Sequence, residues 1–406
     1  MNDRNATPTN RRVEDATSFS VRLSFMFGAL FMVTGIQLPY LPVWLDWRGL
    51  TATEIGIVTS TPLFLGLVAT PAIALFADRR GDHRSVIVTL VWCALVSVWL
   101  LARIQGFGAI LALVTAFLLS VQTIMPLTGT VAMAGVNALG LDYGRMRLWG
   151  SLTFIGAGFA GAAALDGFGA GAIVWLLVAG TSVTACAAHL LLSRPPASSE
   201  DRVRRAPIGI AEVTQLVQSA DFLIFLGAAG AVQAAHAVFY AFGVLHWRTL
   251  GISNGGIGLL WALGVAAEVG LFAFSRDLVQ RVGAVELIIA GAAAAVIRWL
   301  AMAFDPPFLL LVPLQALHAL TFGATHLGAM HFIGRAVRPE HAGTAQALHA
   351  TATSGIAMGG AMLLSGALYG RLAGLSYLAM AVIALLGLFA AVFLKRRCSR
   401  RESLAP

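Results

Sequence analysis

"WALGVAAEVGLFAF", Trp261 to Phe274, is as apolar as a membrane span, yet it carries one carboxylate, Glu268, at its centre. A helix lying against water needs a polar face, and no polar face alternates with this stretch. Length then settles its place, because about 20 consecutive apolar residues are what it takes to cross a bilayer, and runs of that length recur along the whole chain. Of the 406 residues 58% are hydrophobic and 11% charged, and the mean hydropathy is +0.82; a soluble domain carries about 25% charged residues. The runs predict transmembrane helices over 20–45, 54–76, 85–103, 107–136, 147–166, 170–192, 220–246, 255–275, 284–304, 307–333, 342–370 and 374–394. The expectation is an all-α membrane protein of 12 transmembrane helices.

Charge gives the topology. The formal net charge is +8, but 22 of the 27 basic residues cluster in alternate gaps between spans, which is the mark of cytoplasmic loops and not of a nucleic-acid surface. Those gaps hold Arg4 to Arg22, Arg79 to Arg84, Arg145 with Arg147, Arg194 to Arg205, Arg276 with Arg281, Arg335 with Arg338, and Lys395 to Arg401. The other side holds only Arg48, Arg103, Arg248 and Arg371, so both termini are expected in the cytoplasm. Arg298 belongs to neither side. Cys93, Cys186 and Cys398 are too scattered for a disulfide framework or a metal site. The first apolar run is as long as a full span and reads as an uncleaved helix.

The chain repeats itself. "GLTATEIG" (49–56) matches "GISNGGIG" (251–258), and at the same offset Arg79 and Gly81 meet Arg281 and Gly283. Duplicated halves of six spans follow: a tail 1–19, a bundle 20–192, a Pro-containing linker 193–219, a second bundle 220–394 and a tail 395–406, the two bundles being pseudo-symmetric.

"ADRRGDHR" (77–84) follows the second span. It resembles the loop motif of the major facilitator superfamily, with Asp78, Arg79, Gly81 and Arg84 matching, His83 where a basic residue is usual and Ala74 where the leading Gly is usual. The resemblance implies a gating role for those four residues, and a tight turn at Gly81 suits it. "LDYGRMRLWGS" (141–151), "QLPYLPVWL" (37–45), "HAVFYAF" (236–242), "LGVAAEV" (263–269) and "LHALTFGATHLGAM" (317–330) are similar, in order, to the proton-coupled phenylpropionate permease group, related to lactose and nucleoside symporters. That resemblance covers nearly the whole chain. It implies a substrate site between the halves near the midplane. In the sugar symporters the arginine matching Arg147 holds substrate with an acid one helix earlier; here that place is Gly129, which leaves Arg147 freer to take an anion.

A charge near the bilayer centre costs about 2.5–3.5 kcal/mol even on lenient scales, so Glu268 needs partners. Arg298 in span nine and His318 in span ten are the candidates, at depths that let His318 lie between the other two. The set resembles the proton-coupling cluster of lactose permease, except that the acid expected three residues after the histidine is Thr321. Read as a coupling device, Glu268 ionises beside Arg298 and holds a proton away from it; read structurally, the three form a static buried set. Polar and aromatic residues at helical spacing mark five inward faces: Gln37, Tyr40 and Trp44; Gln233, His236 and Tyr240; Trp261, Gly264 and Glu268; Gln315, His318 and Phe322; Gln346, His349 and Thr353. Ordinary interhelical bonding explains such stripes equally well. His326 and His331 lie off the His318 stripe and read as structural or interfacial.

No catalytic motif is present, so a membrane enzyme or scaffold is disfavoured. The expectation is a monomeric secondary transporter in a bacterial-type inner membrane, working with lipid, protons and a small molecule and without metal, cofactor or nucleic acid. Its expected cargo is an aromatic monocarboxylate, oriented at its polar end by Arg147 and His236, flanked by Tyr40, Tyr240 and Trp261, with Gln37 a further substrate contact. A sugar or nucleoside symporter and a drug antiporter are the rivals.

Overall fold

The computed structural model describes residues 8–191, 210–338 and 341–404. Among them every regular element is helical. The order is α1 (Pro8–Trp47), α2 (Ala52–Arg80), α3 (His83–Leu101), α4 (Phe107–Leu139), α5 (Tyr143–Phe168), α6 (Ala172–Leu190) and α7 (Ile210–Gln218). There follow α8 (Ala220–Ala234), α9 (Ala237–Thr249), α10 (Asn254–Ala273), α11 (Ser275–Val282) and α12 (Ala284–Met302). Next come α13 (Phe308–Ala316), a π-helical turn (Ala319–Ala324), α14 (Thr325–Ala336), α15 (Ala342–Ala350), a second π turn (Thr351–Ala357), α16 (Met358–Leu372), a 3₁₀ turn (Ala373–Ser376) and α17 (Tyr377–Leu404).

Eleven stretches among the described residues are long and apolar enough to cross a membrane, and the last, Ala342–Arg400, is 59 residues long. That is far more than one crossing needs, and the 3₁₀ turn at Ala373–Ser376 divides it in two. Twelve passes result. Most run longer than the hydropathy pattern predicts, because polar residues continue the helices beyond the apolar core. The first helix begins at Pro8, inside the expected tail, and α17 continues to Leu404. Lys395 and Arg397 secure that last stretch by pairing with Glu286 and Asp221 at the starts of α12 and α8, at 3.3 and 2.7 Å. Arg4, Arg194, Arg202, Arg204 and Arg205, and most of the expected linker, lie outside the described residues.

The chain divides into two compact units. One holds Met1–Trp44 with Val68–Arg204, the other Leu45–Leu67 with Arg205–Pro406. In the first, α1 and α5 pack at the closest approach glycine allows: Gly35 lies against the Phe154 backbone, and Thr153 donates to the Gly28 carbonyl at 2.8 Å. The last carbonyls of α6 accept from two arginines, His189 O from Arg84 at 2.7 Å and Leu190 O from Arg22 at 3.2 Å, where cations suit the helix dipole. In the second unit Gly56 meets Gly366 so closely that an added Cβ would stand 2.9 Å from the facing Cα.

The internal repeat has a backbone signature. Gly49 and Gly251 have φ of +85° and +77°, and Gly81 and Gly283 have +66° and +98°. These are left-handed turns at equivalent places, which only glycine adopts freely. Thr51 and Glu54 form a reciprocal capping box at the start of α2, and Ser253 caps α10 at the equivalent place.

Candidate functional site

The polar residues inside spans converge in the second unit. Arg298 on α12 is wholly buried. Its NH2 donates to Gln315 Oε1 at 2.8 Å, and its NH1 donates to Thr321 Oγ1 at 3.1 Å and to His318 Nδ1 at 3.3 Å. The guanidinium carbon lies 4.5 Å from the Trp299 ring centre and 5.0 Å from that of Phe239, where the ring faces add cation–π attraction. On the far side of His318, Nε2 stands 3.6 Å from Glu268 Oε2. His318 thus lies between Arg298 and Glu268, and the acid is only 21% exposed.

Donor and acceptor chemistry fixes the protons. A guanidinium only donates, so His318 Nδ1 accepts and its proton sits on Nε2, towards Glu268. His236 Nδ1 donates to the Val232 carbonyl at 3.0 Å, which leaves Nε2 to accept the Thr321 hydroxyl proton at 3.0 Å. One directed chain therefore runs from Arg298 through Thr321 to His236 and back to the helix backbone. The position where lactose permease carries an acid is here a hydroxyl that relays a hydrogen bond.

Two local features build this arrangement. The expected span 220–246 is broken between α8 and α9 at Ala235–His236, without proline or glycine at the break. The His236 amide turns to the Gln233 carbonyl at 3.1 Å, and the His236 ring takes over the Val232 carbonyl, which satisfies the group that the break frees. The second feature is the π turn at Ala319–Ala324. Residues eight apart drift about 80° round an α-helix, but across this wider turn His318, Phe322 and His326 stack in line, with ring centres 5.4 and 6.2 Å apart. His326 is thus on the His318 stripe, contrary to the reading from a uniform helical period.

An aromatic wall flanks the cluster. Phe239 stacks on Trp261 at 4.7 Å, and Tyr240 lies 6.3 Å from Trp261 and 5.5 Å from His236. Gln315 lies on one of the inward faces read from the sequence, whereas Thr321, Phe239 and Trp299 were not singled out as site residues; the position three residues after His318 was the one signal available for Thr321. In the first unit, Tyr40 is fully buried and donates to the Gly158 carbonyl at 2.7 Å, with its ring over Gly161. Gln37 is half-buried, and its Oε1 has no hydrogen-bond partner among the described residues. Arg147 lies one turn inside α5, which Asp142 caps, with its guanidinium 3.8 Å from the Phe31 ring centre. Gly81 makes the left-handed turn after α2, His83 pairs with Asp78 at 2.8 Å, and Asp82 caps α3. The Ser85 hydroxyl and amide bonds hold the Asp82 carboxyl below the usual carboxylate range. A groove of about 440 Å³ in this unit, lined by Ser20, Ser24, Gly28, Met32, Trp149 and Thr153, holds no ionisable group. Among the described residues no cluster of His, Cys, Asp and Glu is placed to hold a metal.

The comparisons agree with this architecture. The probable 3-phenylpropionic acid transporter of Escherichia coli (strain K12) is 32% identical over 382 residues, covering 90% of this chain and 96% of that protein. The maltose permease of Geobacillus stearothermophilus is 28% identical over 386 residues, 93% of each chain. The crystal structure of the nucleoside transporter NupG superposes with a TM-score of 0.79 at 17% identity, covering 93% of this chain and 98% of that one, and so shares the fold. The model of the MFS_1 like family matches residues 19–379. The chain belongs to that family, and it is an integral membrane transporter of the major facilitator type, not an enzyme.

Proposed function

We propose that the chain imports an aromatic monocarboxylate of the 3-phenylpropionate type together with protons, with both termini in the cytoplasm of a bacterial-type inner membrane. The observation that carries this reading is the ordered set Arg298–His318–Glu268, an ionisable acid joined through an imidazole to a buried cation. An acid in hydrocarbon with a partner whose approach changes its ionisation is what proton coupling requires. Trp261, Phe239 and Tyr240 form an aromatic stack beside that set, chemistry suited to flanking a ring. The 32% identity to a probable 3-phenylpropionic acid transporter favours the same cargo.

Glu268 carries the proton, His318 passes it on, and Arg298 sets when it leaves. His236, Tyr240 and Trp261 in the second unit, and Gln37, Tyr40 and Arg147 in the first, serve as substrate contacts, while Asp78, Arg79, Gly81 and Arg84 hold the loop that gates the cycle. The purified chain in proteoliposomes with an imposed pH gradient is expected to accumulate 3-phenylpropionate, and an uncoupler is expected to abolish accumulation. Accumulation of maltose or a nucleoside in its place would transfer the reading to the sugar or nucleoside class.

A further inference from the structure

Of the buried side-chain polar atoms in the second unit that have no hydrogen-bond partner among the described residues, four can only donate: Arg298 Nε, Gln315 Nε2, Trp261 Nε1 and Trp299 Nε1. None of these groups can accept. All belong to residues gathered about one guanidinium. Gln315 holds its NH2, Trp299 lies against it, and Trp261 stacks on the Phe239 ring that it also faces. Buried donors are nearly always partnered, so a surplus of donors around a cation describes a place for an anion. Arg298 meets the negative charge of Glu268 through His318. When Glu268 takes up a proton, that countercharge disappears and a wholly buried cation is left uncompensated.

We infer that Arg298 is the anchor for the substrate carboxylate, and that Glu268 and the substrate take turns as its counter-anion. The inference rests on the proton-coupled reading above and narrows it. A proton from bulk converts the Glu268 carboxylate to the acid, and a substrate carboxylate arrives opposite Arg298. The charge inside the unit is the same before and after, so one proton accompanies one monoanion. Coupling then follows from charge balance, and an uncharged sugar or nucleoside has nothing to offer the anchor. The ionisable groups facing the pair are His318, His236 and Tyr240, with Tyr377 on α17 facing Arg298. Both imidazoles already have their accepting nitrogen engaged, and phenols stay neutral in the physiological range, so the exchange falls on Glu268.

The test is binding of radiolabelled 3-phenylpropionate, and of its neutral amide, to the full-length protein in lipid nanodiscs from about pH 5.5 to 8.5. Wild-type affinity for the acid should fall about tenfold per pH unit on the alkaline limb, and Glu268→Gln should bind with its acid-limb affinity throughout. Arg298→Gln should lose about a hundredfold or more for the acid and little for the amide, with Arg298→Lys between them because it keeps the charge without the fork. If Arg298→Gln binds the acid as wild type does while Arg147→Gln does not, the anchor is elsewhere and the transport reading stands. A Glu268→Gln profile as steep as wild type also overturns the exchange, even if Arg298→Gln fails to fold. Wild-type protein that binds 3-phenylpropionate at no pH overturns the transport reading and the anchor together.

Discussion

Arg298 donates to Nδ1 of His318 at 3.3 Å, and that one bond decides which ring nitrogen faces Glu268. The imidazole keeps its single proton on Nε2, 3.6 Å from the carboxylate. A second proton can enter the ring only when Arg298 withdraws, since both cannot place a hydrogen on Nδ1. The Arg298 bond and a second proton on the ring therefore exclude one another.

His318→Asn keeps an acceptor for Arg298 but cannot carry a proton. It should fold with a melting temperature near that of wild type, exchange substrate across proteoliposomes, and fail to accumulate it against a pH gradient. His318→Leu removes the acceptor and should destabilise by about 1–3 kcal/mol. Undiminished accumulation by the Asn variant would remove His318 from the proton path.

Tyr40 donates to the Gly158 carbonyl and rests on Gly161. Thermal unfolding in detergent should show Tyr40→Phe costing about 1 kcal/mol. Gly161→Val should cost more, because its side chain would enter the tyrosine ring. Equal losses would mean that the hydroxyl, and not the ring contact, secures α1 to α5.

Gly366 faces backbone on α2, with an added Cβ 2.7 Å from Ala52 O and 2.9 Å from Gly56 Cα. Backbone cannot turn aside as a side chain can, so Gly366→Val should cost about 2–3 kcal/mol. Gly227, with nothing within 4 Å of its added Cβ, is the internal control: Gly227→Ala should stabilise by up to about 1 kcal/mol through helix propensity.

Asp82 caps α3 through the Ser85 amide and hydroxyl. Its carboxyl is held below the usual 3.8, so its contribution is present above that value and is lost as pH falls through the lower folded value. At neutral pH Asp82→Ala should cost about 1 kcal/mol. The gap between variant and wild type should close on acidification below about pH 4, and a constant gap would mean that the cap does not depend on the charge.

Ala373 has φ +46° and ψ −125°, a left-handed conformation that a Cβ resists. Ala373→Gly removes that strain while slightly raising the entropy of the unfolded chain. A net gain of about 1 kcal/mol in unfolding experiments is expected.

The twelve passes and the repeat were legible because hydrophobic length and glycine turns are local properties of the chain. The closeness of Glu268, Arg298 and His318 was legible for a different reason: charged groups in hydrocarbon must find one another, whatever the packing details. The break at His236 was not legible, since what ends α8 there is a histidine ring bonding back to its own helix, not proline or glycine. The alignment of His326 was missed because every wheel drawn on the sequence assumes a constant turn. Thr321 read as a missing acid, and only its two bonds, to Arg298 and His236, reveal it as a relay.

The wide turns at Ala319–Ala324 and Thr351–Ala357 each hold slack within an otherwise regular rod. A one-residue deletion inside either can be taken up by tightening that turn to ordinary pitch, without swinging the rest of the rod round its axis. The same deletion in α12, which has no such slack, would turn Arg298 by about 100° away from its partners. Two of the helices in this half of the molecule are thus tolerant of length changes at one spot each, and their neighbour is not.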